Sequence, residues 1–590
     1  MRVALLNEVL EDEDLRRSWN GLVEQMERPE AFYTYEWAVA VQRAYRASVV
    51  PLLFLFYEGD SLVGLVALAR SASGEDAFFF TASTSDYCDF LSHPSRRREV
   101  VEGVLAELHK LHISTLVLAN LPADSVTLPA LKSTAKSNGY HTYLRSAYQC
   151  AQVVLGTSEQ REALKKSAPR ERAFHRAWRK MEKAAPVSVW HDTRWADVER
   201  TLPIFMRTHV ARFLATGRIS NLVRPERRVF LRELAKELAG SGWLVSSRLM
   251  IGDRPVAWNY GFQFAGSWFW YQPTFDTPYE RFSPGRSLLT KIVEAACDRP
   301  DIALVDLGLG AEEYKGRFAT ENRETLHVTM NASLRAHIRV VARHQAARMA
   351  TASPAIERSL RAVLGHLAKS WARLRENGAL GFGDWVLKRV WHSLFGRDEV
   401  LFFEWPAEGE PVPVPSGGLL LRPLDWNLLA TGAMHYADDQ ETLAYLMRAA
   451  QRLRSGIGQG FALVAAEGVL VNVCWIADFD GFEMSELNRK LQTPSPDAVM
   501  IFDGWTPRSV RGHGYLPVTL TLLADQLHSS GKTAWGFVAA TNLASIRGLQ
   551  KAGYVHRFTL GRNRFLGVSR TTDSPSSVNQ HPVGDVVSAR

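Results

Sequence analysis

LVSSRLMIGDRPVAWNYGFQF (244–264), SWFWYQPTF (267–275), SPGRSLLTKIVEAAC (283–297) and IALVDLGL (302–309) follow one another along the chain. The first is a pair of apolar runs around a polar turn, the mark of a β-hairpin. The second is another strand-like run, the third an amphipathic helix opened by proline and glycine, the fourth one more strand. The same order occurs upstream in LLFLFYEGDSLVGLVALA (52–69), AFFFTAS (77–83), RRREVVEGVLAELHKL (96–111) and STLVLANL (114–121). It occurs downstream in GFALVAAEGVLVNVCWIADF (460–479), AVMIFDGWT (498–506), GYLPVTLTLLADQLHSS (514–530) and TAWGFVAA (533–540). Three recurrences in one order predict three tandem α/β units, against the plainer alternative of one large irregular α/β domain.

The 590 residues have room for this, since ~150 residues per domain allows three to four folded units. The strand YLRSAYQCAQVVL (143–155) closes the first unit, and the basic helix REALKKSAPRERAFHRAWRKMEKA (161–184) opens the second. The expected boundaries are 1–155, 156–333, a basic helical linker at 334–397, a third unit at 398–568 and a frayed tail at 569–590. Pro354 and the Gly378/Gly381/Gly383 cluster break the linker's helical pattern.

Composition is that of a chain with full cores: 46% hydrophobic, 10% aromatic and 22% charged. Cys88, Cys150, Cys297 and Cys474 lie far apart with no CxxC, so the sequence encodes neither a local zinc knuckle nor a redox pair. The 17 histidines form no HExxH or HxH arrangement, and no metal site is expected. The start, MRVALLNEVLEDED, turns acidic before any apolar stretch long enough for a signal peptide. No uninterrupted apolar run reaches the ~18 residues of a spanning helix, so a soluble, cytoplasmic protein is expected.

The net charge of +8 is local: Arg335–Arg397 holds 12 Lys/Arg against 3 acids, and the remainder is near neutral. Arg161–Lys183 is a second basic run, with nine basic residues against three acids. Nucleic-acid binders spread charge over a docking face, so no nucleic-acid partner is expected. Segment 355–397 interleaves arginine and lysine with Trp371, Trp385, Trp391 and Phe395. That mixture suits either bracing helices or peripheral contact with an anionic membrane.

The clearest chemical motif is Pro507-Arg508-Ser509-Val510-Arg511-Gly512-His513-Gly514-Tyr515, which joins a strand to a helix. Such a loop offers backbone N–H groups at a helix N-terminus, where glycines permit close approach and the dipole favours a pyrophosphate. Asn542-Leu543-Ala544-Ser545-Ile546 opens another helix that ends in Lys551-Ala552-Gly553-Tyr554. Together these resemble the GNAT acyltransferases, whose loop motif is usually R-x-x-G-x-G/A. The resemblance covers roughly 400–568. It implies that Val510, Arg511, Gly512, His513, Gly514 and Tyr515, with Asn542 and Ser545, bind acetyl-CoA as acyl donor. It also implies a V-shaped gap, between the strand ending near Trp505 and the one ending near Ala539, that holds the thioester. Two positions depart from the pattern. Leu516 stands where Gly or Ala is usual, followed by Pro517. Leu549 stands where many members place the tyrosine that protonates the leaving thiolate, and Tyr554 or a water would have to replace it.

Residues 30–330 resemble the double-GNAT proteins of the FemAB-like superfamily, in the branch linked to cellulose and exopolysaccharide biosynthesis. The resemblance rests on FYTYEW (32–37), SDYCDFL (85–91), RKMEK (179–183), DTPY (276–279), SPG (283–285) and DLGLGAEEYK (306–315). It implies a donor in the second unit and a sugar-derived acceptor in the cleft between the first two, contacted by Asp86, Tyr87 and Asp89. Relatives that transfer amino acids from tRNA supply an alternative, and a non-catalytic ligand-binding scaffold another.

The residues themselves support a chemical reading. Ser283-Pro284-Gly285 opens a helix directly after a strand, with Arg281 and Arg286 placed to pair with phosphates. Asp306 ends a strand, and Tyr314 and Lys315 follow it with a phenol and an ammonium. A carboxylate to deprotonate the acceptor and a lysine near a developing oxyanion make an adequate catalytic set. The alternative is that Asp306 caps the following loop and pairs with Lys315 as a structural bridge. Trp258, Tyr260, Trp268, Trp270 and Tyr271 alternate on strands as core and cleft lining, with Trp270 a candidate for stacking on a sugar ring.

Overall fold

The structure is a computed structural model; it describes residues 1–590 apart from 72–73, 168–171, 311, 352–396, 407–417, 467, 485–486, 488, 566–567 and 576–590. Segment 355–397, the expected membrane contact, lies outside the described residues except at its last position. Two compact bodies result: Met1–Arg212 with Ser220–Ser353, and Pro354–Arg590 with Phe213–Ile219.

In chain order the first body begins β1 (Arg2–Leu6), α1 (Glu13–Glu24), α2 (Tyr35–Tyr45), β2 (Val50–Glu58), β3 (Ser61–Arg70), β4 (Asp76–Phe79) and β5 (Leu91–Ser92). α3 (Arg97–Lys110), β6 (Thr115–Pro122), α4 (Thr127–Thr134) and β7 (His141–Val154) complete its first unit. The second unit runs α5 (Ser158–Ser167), α6 (Arg172–Glu182), β8 (Val187–Asp192), α7 (Trp195–Ala215), α8 (Pro225–Gly240), β9 (Leu244–Ile251) and β10 (Arg254–Phe264). It continues with β11 (Ser267–Phe275), α9 (Pro284–Cys297), β12 (Leu304–Leu309), α10 (Glu313–Gly316), β13 (Glu321–Asn331) and α11 (Leu334–Thr351). α11 packs with this body, so the boundary falls after Ser353 rather than at the expected 333.

All these strands join one 13-stranded sheet, ordered β1-β2-β3-β4-β6-β13-β7-β12-β11-β10-β9-β8, with β5 beside β3. Each unit's hairpin, strand, helix and strand appear in the expected order, and the crossover pairs are parallel: β4 with β6 and β11 with β12. The closing strands are exchanged. β13, from the end of the second unit, pairs antiparallel with β6 of the first, while β7 of the first pairs with β12 of the second. The two units are therefore fused through their sheet, with separate cores on either side of the seam. The first core gathers Phe54, Phe56, Leu68, Val104 and Leu116, and the second Val245, Leu249, Trp268, Leu289 and Ile292.

The third unit comprises β14 (Arg397–Glu404), β15 (Leu420–Pro423), α12 (Trp426–His435), α13 (Gln440–Ser455), β16 (Gln459–Val464), β17 (Leu470–Asp478), β18 (Glu483–Met484) and β19 (Arg489–Lys490). β20 (Ala498–Trp505), α14 (Tyr515–Ser529), β21 (Thr533–Ala539), α15 (Leu543–Lys551), β22 (Val555–Phe565) and β23 (Val568–Pro575) follow. Its sheet is ordered β15-β16-β17-β20-β21-β14-β22-β23. Here β14, which precedes the unit, fills the slot that an exchanged strand fills in the other two. β23 runs to Pro575, so the first part of the expected frayed tail is a strand paired with β22.

Two parallel pairs open in the same way. β11 and β12 are paired only from Ser267/Leu304 to Phe269/Asp306, and β20 and β21 only from Ala498/Thr533 to Ile501/Gly536. Beyond those points each strand runs on without its partner. A bulge marks the start of each opening. Trp270 and Tyr271 face the single residue Gly261 across β10–β11, and Asp503 and Gly504 face Cys474 across β17–β20. Asp503 adopts φ 49°, a left-handed value that a bulge imposes.

Candidate active site

Where β11 leaves β12, a cavity of about 440 Å³ opens against the first turn of α9. Its inner wall includes Trp270, Thr274 and Phe275; its mouth carries Arg212, Arg286 and Arg317 beside Glu280 and Glu313. Pro284 sits in the first turn of α9, and Ser283 before it is left-handed (φ 49°) with no side chain capping the helix. The first N–H groups of α9 thus have no side-chain acceptor and meet an arginine-rich mouth, the electrostatics of an anion site. Leu288, Leu289, Ile292 and Val293 bury the opposite face of α9 and hold that terminus in place. Gly285 lines the cavity, and a Cβ there would meet Phe275 at 3.3 Å. Thr274 Oγ1 is buried without a hydrogen-bond partner. A cradle that a Cβ would narrow, an unpaired hydroxyl and three guanidinium groups fit a phosphorylated, amide-bearing donor.

Of the residues expected to bind the donor here, Gly285 and Arg286 line the cavity. Arg281 does not: it is exposed and lies over the Phe282 ring, 4.8 Å from its centroid. Trp270 belongs to the donor cavity rather than to the acceptor side, and its Nε1 donates to Tyr314 Oη at 3.2 Å. That bond leaves the Tyr314 hydroxyl proton free to point elsewhere. Burial raises the Tyr314 pKa, so the phenol keeps its proton.

Behind this wall the two fused units meet around Asp306. Asp306 is 1% exposed and fully engaged: Tyr87 Oη donates at 2.8 Å, Gln152 Nε2 at 2.7 Å and the Gly308 amide at 2.7 Å. The expected role of Asp306 as the base is therefore corrected, because both carboxylate oxygens are hydrogen-bonded within the protein and the residue is almost wholly buried. Of the alternative, the loop cap is present in the Gly308 bond, while the bridge to Lys315 is corrected. Lys315 Nζ donates to Leu309 O at 2.7 Å and pairs with Glu312 at 2.9 Å. Tyr87, wholly buried, serves as a clamp on Asp306, with the Arg323 guanidinium 4.5 Å above its ring. Arg323 in turn pairs with Glu30 of the first unit.

Asp86 stands differently. It is only half-buried, accepts from the Leu309 amide, and approaches Gly308 so closely that a Cβ there would lie 2.6 Å from Oδ2. The same Cβ would be 3.6 Å from Trp270 O, so Gly308 (φ +70°) lies between the carboxylate and a residue of the cavity wall. Burial, then the neighbouring Asp306 charge, push the Asp86 pKa up to about 7 against the pull of Lys315. Asp89, three residues on, turns into the first unit instead. It accepts from Thr127 Oγ1 at 2.5 Å and pairs with the buried Arg97, so it is corrected from acceptor contact to core ion pair.

In the third unit, Gly512 (φ 87°) and Gly514 (φ 77°) bend the loop before α14, whose N-terminus also has no side-chain cap. His513 is exposed and stacks on Tyr515 at 5.8 Å. Arg511 is turned back: Nε donates to Thr506 O at 3.0 Å, and the guanidinium covers Trp505 at 4.9 Å. Val510 closes a short 3-10 turn over 508–510. Asn542 accepts from the Ser545 amide at 3.2 Å, the N-cap of α15, so these two are structural rather than donor contacts. Tyr554 is buried and donates to Leu520 O, away from the strand opening. Leu516 is wedged between the bulge and α15, its methyls 3.1 Å from the Cβ positions of both Gly504 and Gly548.

Residues 169–316 match the family model described as acetyltransferase (GNAT) domain. No curated protein matches the chain. Among solved structures, FemX is similar at 8% identity, over 56% of this chain and 97% of its own, with a TM-score of 0.40. L-PGS from Bacillus licheniformis is similar at 11% identity, over 57% and 98%, with a TM-score of 0.38. A tandem GNAT protein from the clavulanic acid biosynthesis pathway is similar at 16% identity, over 56% and 99%, with a TM-score of 0.35. Among the described residues, no group of His, Cys, Asp and Glu could hold a metal ion, and no helix is long and apolar enough to cross a membrane.

Proposed function

We propose that this chain is an acyltransferase that takes an acyl group from acetyl-CoA in the second unit. The acceptor is an amine or hydroxyl of a sugar-derived molecule of exopolysaccharide or cell-envelope biosynthesis. One observation carries the reading: Gly308 lies between the Asp86 carboxylate and Trp270 of the arginine-mouthed cavity's wall, its Cβ position 2.6 Å from Asp86 Oδ2 and 3.6 Å from Trp270 O. The donor supplies a thioester carbonyl activated toward attack. Gly285, Arg286 and the α9 amides hold its phosphates, and Trp270 with Thr274 walls the acyl end. Asp86 removes the proton from the attacking nitrogen or oxygen, for which a pKa of about 7 is suited near neutral pH. Tyr314, its oxygen held by Trp270, returns a proton to the departing sulfur. Asp306 positions the site by fixing Tyr87, Gln152 and the Gly308 turn, and Lys315 ties the β12 end in place and keeps a cation beside Asp86.

The third unit keeps the fold without turnover in this reading. Leu516 fills the space between β20 and α15, and Arg511 is committed to Thr506 and Trp505. The test is thiol release by the full chain given acetyl-CoA and glucosamine-type acceptors, beside a tRNA gel shift. Acceptor-dependent CoA release supports the proposal. A chain that binds charged tRNA and releases no CoA would transfer from tRNA instead.

A further inference from the structure

α11 carries four arginines, two histidines and no acidic residue. One side of it faces the sheet: His337 stacks near His141 and His344 on Tyr143, with Val340 and Val341 partly covered between them. The other side is open. Arg335, Arg339 and Arg343 recur every fourth residue and fall within ~80° of arc on an α-helix. None of the three has an ion pair among the described residues. Leu334 and Ile338 border that row on one side, ~60–100° around the helix from Arg335, and are 54% and 56% exposed.

A row of arginines needs an anionic partner. Exposed leucine and isoleucine along one border of that row need one that also offers an apolar layer just below its charge. We propose that the outward side of α11 is a docking surface for an anionic lipid bilayer. The arginines lie at the headgroups, and Leu334 and Ile338 enter the acyl boundary. A nucleic acid satisfies the arginines but leaves both aliphatic side chains in water, which is why the bilayer is favoured. This surface is distinct from the proposed active site and does not depend on it.

The experiment is co-sedimentation of the full chain with sucrose-loaded vesicles of phosphatidylcholine, with or without phosphatidylglycerol, at low salt. Binding to the anionic vesicles alone is expected. Arg335→Gln/Arg339→Gln/Arg343→Gln should lower partitioning about a hundredfold, and Ile338→Gln about tenfold at unchanged charge, both with the parent's melting temperature. The proposal is overturned if the triple variant partitions like the parent. It is equally overturned if Ile338→Gln has no effect, which would point to a purely charged partner, tested by gel shift with duplex RNA.

Discussion

At the scale of single residues, two aspartates in one short loop have opposite fates. Asp86 reaches the opening of β12 while Asp89 pairs with Arg97 in the first core. The stretch SDYCDFL showed that acids were present, yet their partners come from residues 97, 127 and 306–309, which no local pattern connects. Asp86→Asn should cut transfer by a factor of ~10²–10⁴. The pH profile supplies the second check, since activity should fall as pH drops below about 7 and Asp86 takes up its proton. Stability has the opposite sign. The carboxyl is raised from 3.8 in the unfolded chain, so its contribution is complete at low pH and is lost as pH rises through about 7. Asp86→Asn should therefore be inactive yet at least as stable as the parent at pH 8–9, read by thermal melts. Gly308→Ala should act through the same carboxylate. Its Cβ collides with Oδ2 and its backbone is left-handed, so kcat should fall by at least tenfold while the cavity still binds CoA.

Among elements, the α9 terminus and the α14 terminus look alike in sequence and differ in what surrounds them. Both follow a bulged strand and neither has a side-chain cap. The glycines of Val510–Tyr515 announced the second of these more loudly than Ser283-Pro284-Gly285 announced the first. What separates them is Leu516, whose packing against Gly504 and Gly548 depends on residues 12 and 32 positions away. Arg286→Ala/Arg317→Ala should weaken CoA binding to the full chain by about two to four decades in calorimetric titration, from loss of two charge-assisted contacts worth ~1.5–3 kcal/mol each. Gly514→Val, at an open position with φ +77°, should cost ~1–3 kcal/mol of strain and leave that titration unchanged. If Gly514→Val instead removes the heat of binding, the donor sits in the third unit. The repeated hairpin, strand, helix and strand were readable because each is local. β1, β8, β14 and β22 do not stand out in the sequence: their runs are short or lie outside the repeated order, and edge or inserted strands take their meaning from neighbours remote in the chain.

For the whole molecule, the exchange of β7 and β13 matters most. It explains why the groups of the proposed site come from both units: Gln152 on β7 reaches Asp306 on β12 because the first unit's last strand lies inside the second unit's sheet. Sequence cannot show this, since an exchanged strand and an unexchanged one have the same hydrophobic alternation. Residues 1–155, produced alone, should be insoluble or expose β6 as an unpaired edge, whereas 1–353 should melt as one cooperative transition by calorimetry. Two separate transitions in the longer fragment would mean that the seam is not shared.

The same exchange sets a timetable on the ribosome. Leu326 of β13 pairs with Leu121 of β6, a separation of about 200 residues. At ~5–20 residues per second, the nascent first unit waits on the order of 10–40 s for the strand that completes it. During that wait its incomplete sheet is a substrate for chaperones and a template for other nascent chains. Synthesis conditions that slow elongation between 122 and 321 should therefore lower the yield of folded protein more than the same delay placed after 353.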